Sequence, residues 1–428
     1  MKLNRKNLNE KTADSVQLAP ERIVHLGIGA FAKAHQIWYT SQVDSENQWG
    51  VIAFTGRTAT IAEQLEEQDG LYTLVERSNE GDKFQVIKSV VRAVDGNDAT
   101  SFTEAISNPQ TALITITITE SGYVLSPPSA AVHRLAVALD IRRRLNAEPI
   151  ALVPCDNIPN NGERLREVLL EIFRGFEPEA TSWLNNKVSF VSTSIDRITP
   201  RTTDEDLTLV ELETGWQDKN VTVTEPFSDW VLSGEFPKGR PDWQLAGAKF
   251  VENIEPFENR KLWLLNGAHS ILAYSGLARG YETVAEAIAD PECLAIVENF
   301  WNEASRHLVH PNLEIDKYRT ALLRRFSNSR IAHQLSQIAI DGATKVAVRL
   351  VPVAFAELAA GNEASGAARG ISAWINFVQE HGFSDSRADE IRLALQSPDP
   401  SQALLALLSP ELASNEVFVD QLQKEAQC

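Results

Sequence analysis

The sequence predicts an α/β domain followed by a mainly α-helical one, and three observations carry that prediction. Short β-branched and apolar runs alternate with helical stretches up to about residue 254. Beyond Pro256 the apolar residues recur at helical spacing and strand signals almost vanish. A chain of 428 residues is also long for one hydrophobic core. The domains are therefore drawn as 1–254 and 255–428.

The hydrophobic fraction of 43% and charged fraction of 23% are those of an ordinary soluble globular protein. The net charge of −18 repels polyanions, so no nucleic-acid partner is expected. Cys155, Cys293 and Cys428 lie far apart, which argues for a reducing compartment and against a disulfide framework or a Cys-rich zinc site. Met1 to Glu21 is polar and lacks a signal-peptide pattern, and no apolar run reaches the roughly eighteen residues of a membrane span. The expectation is a cytoplasmic protein with no membrane partner, a monomer or small homo-oligomer.

Taken in order, residues 22–36 read as a strand, a glycine turn and a helix start. Gly27, Gly29 and Ala32 fit G-x-G-x-x-A, in which the first glycine bends the chain and the second admits a pyrophosphate to the backbone. That pattern makes the first domain Rossmann-type and dinucleotide-binding. A second strand, 50–57, ends in Thr55-Gly56-Arg57-Thr58 without the carboxylate that usually accepts from the ribose 2′-hydroxyl. Arg57 would accommodate a 2′-phosphate, so the cofactor is NAD with NADP possible. Residues 61–68 read as a short helix, and 71–76 with 84–91 as an inserted hairpin. The strand 112–119 ends at Glu120, on the side where parallel strands present ligands. Pro127-Pro128 opens a helix over 129–145.

The strand 150–154 runs into Cys155-Asp156-Asn157, a loop dense in turn-forming residues. Asn160 and Asn161 are explained by capping the next helix, 163–173; Asp156 and Asn157, directly off a buried strand, are less so. After a strand over 188–194, Asp196 and Arg197 read equally well as a structural ion pair or as crevice residues. Further strands fall at 221–225, 230–232 and 248–251. The helices of the second domain are drawn at 258–280, 284–289, 294–308, 316–325, 331–339, 344–358, 366–381, 387–395 and 400–407.

The first of these helices carries Glu258, Lys261, Asn266 and His269 among apolar and small residues. Each pair, Glu258/Lys261 and Asn266/His269, is three apart and shares an α-helical face. Alone, these would be a surface lysine and a core histidine. With a dinucleotide turn and a loop asparagine they suggest a hydride-transfer site. No ligand set for a metal is apparent, so the substrate oxygen must be handled by side chains. A lysine serves as general base once its pKa falls toward neutrality, and two carboxamides suit a developing alkoxide.

The chain also resembles the polyol-specific long-chain dehydrogenases, the mannitol dehydrogenase family. The resemblance spans nearly its whole length: His25-Leu-Gly-Ile-Gly-Ala-Phe31, Gln68-Asp-Gly-Leu-Tyr72, Thr119-Glu-Ser-Gly-Tyr123, Cys155-Asp-Asn157, Asp196-Arg-Ile-Thr-Pro200, Lys261 with Asn266-Gly-Ala-His269, and Arg325-Phe-Ser-Asn328. It implies that Lys261 is the catalytic base and that Asn157 and Asn266 form the oxyanion pocket. It further implies that His269 orients the substrate, Glu258 passes the proton to solvent and Asp196 contacts substrate. Gly27, Gly29, Ala30, Phe31, Arg57 and Glu120 fall to the cofactor. Ser336 to Lys345 resembles the fructuronate reductase type, which implies a six-carbon sugar acid near Gln337 and Lys345 rather than a plain polyol. Departures are Ala32-Lys33, where the family commonly has His-Arg, and Val346 to Arg349, which lacks a usual proline. A mannitol 2-dehydrogenase, or a non-catalytic dinucleotide sensor, remains the alternative.

Overall fold

The protein is described from a computed structural model covering residues 1–12, 17–56, 58–145 and 148–425; Arg57 and Cys428 lie outside the described residues. The chain splits into two compact units, Met1–Glu255 and Pro256–Cys428.

The strands of the first unit are β1 (Glu21–Leu26), β2 (Gly50–Phe54), β3 (Tyr72–Ser78), β4 (Gly81–Ile87), β5 (Val90–Val94), β6 (Leu113–Ile116), β7 (Ile150–Pro154), β8 (Val188–Phe190), β9 (Ser192–Asp196), β10 (Thr222–Thr224), β11 (Asp229–Ser233) and β12 (Lys249–Phe250). Six of them form a parallel sheet in the order β5-β2-β1-β6-β7-β8. From β1 the chain builds outward first to β2, then on the other side to β6. That reversal opens a crevice at the carboxyl ends of β1 and β6. Every residue of β2 and of β7 is buried, as expected of strands covered on both faces. Alternate residues feed two cores. Val51, Ala53 and Val153 join Trp230 and Trp243 on one side; Ile52, Phe54 and Leu152 join Leu135 and Leu169 on the other.

Two expected strands are each divided between sheets. The run 84–91 breaks at Lys88-Ser89: β4 pairs antiparallel with β3 as the anticipated hairpin, whereas β5 enters the parallel sheet beside β2. Arg5 fixes the break, donating to the carbonyls of Lys88 and Val90 at 3.0 Å. Its segment is no loose leader, since Arg5–Thr12 is helical and Leu3 and Leu8 pack with Leu71 and Trp216. The run 188–194 breaks at Val191, after which β9 pairs with β11 in a separate three-stranded sheet. Helices at Pro178–Lys187 and Asp204–Thr214 complete the unit, the second started by a Thr203/Asp206 capping box.

The second unit is helical. Its centre is Ala268–Ala278, buried at every residue from Ala268 to Gly276 and packed against Pro291–His307 and Ser365–His381. A helix apolar on all sides belongs in a core. The expected helix 344–358 is two, Gly342–Arg349 and Val351–Ala359, because Pro352 in the first turn of the second cannot continue the first. The expected 331–339 shortens to Leu335–Ile338, and short helices at Pro410–Ala413 and Glu416–Glu425 follow the last one drawn. The largest difference lies in the polar helix. It is α-helical over Glu255–Arg260, π-helical over Lys261–Gly267, and α-helical again from Ala268. Among the described residues no helix is long and apolar enough to cross a membrane.

Candidate active site

In the first unit the glycine turn follows β1 directly. Gly27 has φ +90°, and a Cβ there would lie 1.9 Å from the Thr117 carbonyl oxygen, so no other residue fits. Gly29 is extended and the nearest atom to its would-be Cβ is 3.9 Å away, which leaves its backbone approachable. Ala30 and Phe31 open the helix Ala30–Ala34, and buried Ala32 packs it inward. Beside the turn is a cleft of about 920 Å³ lined by Gly27, Ile28, Thr55, Gly56, Thr119 and Arg134, among others. These features fit a dinucleotide: a tight bend, exposed backbone and a roomy crevice at the strand ends. Ser121 and Gly122 also line the cleft, whereas Glu120 is exposed and does not.

One helix turn on, Lys33 is 5% exposed and donates to the Asn220 carbonyl at 2.9 Å. Burial lowers its pKa to about 8 despite the nearby Asp218.

The loop after β7 divides its work among neighbouring residues. The Asp156 carboxylate accepts from the Ile118 and Thr119 amides at 3.0 and 2.8 Å and from the Tyr123 hydroxyl at 2.6 Å. It thus ties the end of β6 to the end of β7, and burial pushes its carboxyl pKa up. Asn161 does not cap its helix. Fully buried, its amide donates to the carbonyls of Asp156 and Thr193 and accepts from the Thr193 amide. Asn157 is left exposed between these clamps. Asp156 is therefore a strut of the loop that presents Asn157.

Asp196 ends β9 and is 9% exposed. Arg197 is engaged elsewhere: it pairs with Glu76 at 2.6 Å, donates to the carbonyls of Ala34 and Glu225, and lies 4.2 Å over the Trp38 ring. It is a structural cation.

In the second unit the π-helical segment reorganises the predicted residues. In an α-helix, residues five apart point about 140° away from each other. A π-turn closes i→i+5 hydrogen bonds, which stacks such residues on one side. Lys261 and Asn266 are five apart and both half-buried. Asn266 and His269 keep their three-residue relation as α geometry resumes, so Lys261, Asn266 and His269 face one way. Glu258 sits half-buried on the preceding α turn.

The surrounding helices are shaped to this segment. A Cβ on Gly267 would lie 2.6 Å from the Phe300 ring, so only glycine allows the close approach. The Leu264 carbonyl accepts from the Trp301 indole at 2.7 Å. Arg349 donates to the Asn266 carbonyl at 3.3 Å and to the Ser270 hydroxyl at 3.0 Å. Side chains inserted in this way satisfy carbonyls that an irregular helix frees. The sequence reading missed Trp301, and it noted Arg349 without giving it a task. The available signal was the four-residue spacing of Lys345 and Arg349, one helix face.

His269 is 7% exposed, packs against Phe326 and edge-on to His333, and its Nε2 has no hydrogen-bond partner among the described residues. Burial drives its pKa well below the usual value, and His333, Arg325, Arg349 and Lys261 lower it further. The imidazole is neutral and sits amid positive groups. Gln337 is exposed on the helix Leu335–Ile338. Half-buried Lys345 donates to the Ile338 carbonyl at 3.1 Å. Among the described residues no group of three or more His, Cys, Asp or Glu is placed to hold a metal ion.

The model of the mannitol dehydrogenase Rossmann domain matches residues 21–245, and that of the mannitol dehydrogenase C-terminal domain matches 253–427. The chain belongs to the mannitol dehydrogenase family. It is an oxidoreductase of that family. Among relatives, the D-mannonate oxidoreductase of Escherichia coli K12 is 31% identical over 95% of this chain and 90% of that protein. A mannitol 2-dehydrogenase of Phaeosphaeria nodorum is 30% identical over 99% and 82%. Among solved structures, Pseudomonas fluorescens mannitol 2-dehydrogenase, in ternary complex with NAD and D-mannitol, superposes with a TM-score of 0.78 at 28% identity, covering 100% of this chain and 96% of that one. A substrate-free D-sorbitol dehydrogenase gives 0.86 at 26%, covering 99% of each.

Proposed function

We propose that this chain is an NAD(P)-dependent, metal-independent secondary-alcohol dehydrogenase that interconverts D-mannonate and D-fructuronate. The observation that carries the reading is the surroundings of His269. A buried imidazole with an unsatisfied nitrogen lies on the same helix side as Lys261 and Asn266; burial lowers its pKa most, and the nearby Arg325 and Arg349 lower it further. A neutral imidazole can donate to or accept from a hydroxyl, and the positive groups favour an anionic substrate. The similarity to D-mannonate oxidoreductase points the same way.

In the oxidative direction Lys261 takes the hydroxyl proton, and Glu258 passes it to solvent. Asn266 donates to the resulting alkoxide, with Asn157 as the second carboxamide. His269 and Asp196 orient the sugar chain; Lys345 and Gln337 serve its carboxylate end. NAD, held through Gly27, Gly29, Ala30, Phe31 and Arg57, supplies the hydride acceptor. A second reading, a polyol such as mannitol as substrate, is favoured by one observation: the Lys345 ammonium already donates to the Ile338 carbonyl. Turnover of D-mannonate and D-mannitol with NAD separates the two. The acid reading expects kcat/KM at least about tenfold higher for mannonate. A preference for mannitol overturns it. Dinucleotide binding with no turnover of any aldonate or polyol would make the chain a sensor.

A further inference from the structure

Resting on the dinucleotide-binding reading above, we propose that the cleft of the first unit accepts the 2′-phosphate of NADP(H) alongside NAD(H), and that Arg134 is the residue that recognises it. A cleft selective for the unphosphorylated ribose places a carboxylate at the end of the second strand, where it accepts from the 2′-hydroxyl and repels a phosphate. Here Thr55 and Gly56 follow β2 into the cleft wall, and no Asp or Glu is among the described residues that line it. A Cβ built on Gly56 meets nothing within 4 Å, so this end of the cleft has room for a larger group.

Arg134 brings the positive charge to the same end. Its guanidinium donates to the Gly96 carbonyl, and the Gly96 amide donates to the Thr55 hydroxyl at 3.0 Å. Gly96 is pressed against β2, since a Cβ on it would lie 1.9 Å from the Thr55 carbonyl oxygen. The guanidinium is therefore anchored one residue away from the strand end that normally carries the acid. Arg134 is half-buried and lines the cleft. A planar cation lining the cleft matches a phosphate dianion, which takes parallel hydrogen bonds from arginine.

The test is equilibrium binding of NADH and NADPH, by calorimetry, to the wild-type chain and to Arg134→Ala and Gly56→Asp. Expected are wild-type dissociation constants within about tenfold of each other. Arg134→Ala should weaken NADPH by about tenfold or more and NADH by less than about threefold. Gly56→Asp, built into open space, should weaken NADPH selectively by like-charge repulsion. Wild-type NADPH binding more than tenfold weaker than NADH overturns the dual-cofactor proposal, and equal losses for both nucleotides in Arg134→Ala overturn the role of Arg134. Absence of binding by either nucleotide would instead defeat the dehydrogenase reading itself.

Discussion

Replacing Lys33 with methionine should stabilise the protein near neutral pH, and the gain should fade in alkali. Lys33 is 5% exposed and its pKa falls from 10.5 to about 8, burial being the dominant cause. That drop corresponds to about 3.4 kcal/mol of destabilisation while the ammonium stays protonated in both states. Methionine has a similar length, leaves no charge to bury, and forfeits the hydrogen bond to the Asn220 carbonyl, a loss of about 1 kcal/mol. The net expectation near pH 7 is a gain of about 2 kcal/mol. The sign with pH follows from proton counts. Between about 8 and 10.5 the folded chain releases the proton while the unfolded chain keeps it, so wild-type stability rises with pH relative to the variant. From pH 7 to pH 9.5 the advantage of Lys33→Met should shrink by about 2 kcal/mol. Urea denaturation of both proteins at the two pH values measures the difference. A separation that does not change with pH would refute the buried-charge account.

Three further outcomes bear on the second unit. Lys261→Ala should lower kcat by about a hundredfold or more while NADH affinity, read by calorimetry, stays within about twofold; unchanged turnover removes Lys261 from the chemistry. His269→Leu keeps the apolar packing but loses the buried nitrogen, so kcat/KM should fall by about ten- to a hundredfold. Because burial and its positive neighbours keep His269 neutral, the pH profile of the residual activity should not move, and a displaced profile would contradict that. Lys345→Met should raise KM for mannonate more than for mannitol; equal effects would argue against a contact between Lys345, which donates to the Ile338 carbonyl, and the substrate carboxylate.

The glycine turn was legible because its constraint is local. Only glycine tolerates the φ of +90° at Gly27, and the sequence writes it plainly. The broken strands were not legible. Residues 84–91 and 188–194 are continuous β-formers, and each change of sheet is decided by distant groups such as the Arg5 guanidinium on Lys88 and Val90. Asn161 reads as a helix cap by type but serves as a clamp to β9, because Thr193 offers its buried amide a better set of partners. Arg197, left undecided by its neighbour Asp196, is claimed by Glu76, 121 residues away in sequence. Period and turn chemistry thus found the elements, while choices between sheets and between polar partners depended on contacts that no local pattern encodes.

The π-helical segment shows why the polar helix could be located by spacing yet misread in geometry. Straight α-helical counting pairs Glu258 with Lys261 and Asn266 with His269 but turns Lys261 about 140° away from Asn266. The wider turn over Lys261–Gly267 rotates Lys261 back over Asn266. An irregular helix is costly unless the carbonyls it frees find donors, and here they find the Trp301 indole and the Arg349 guanidinium. Gly267 removes the side chain that would hold Phe300 off. Two helices of the second unit, Pro291–His307 and Gly342–Arg349, therefore converge on one deformed turn. A helix serving only the core would gain nothing from that arrangement, since regular α geometry buries apolar side chains without orphaning any carbonyl. The supports make sense if aligning Lys261, Asn266 and His269 is the deformation's purpose, and this alignment is what the proposed chemistry requires.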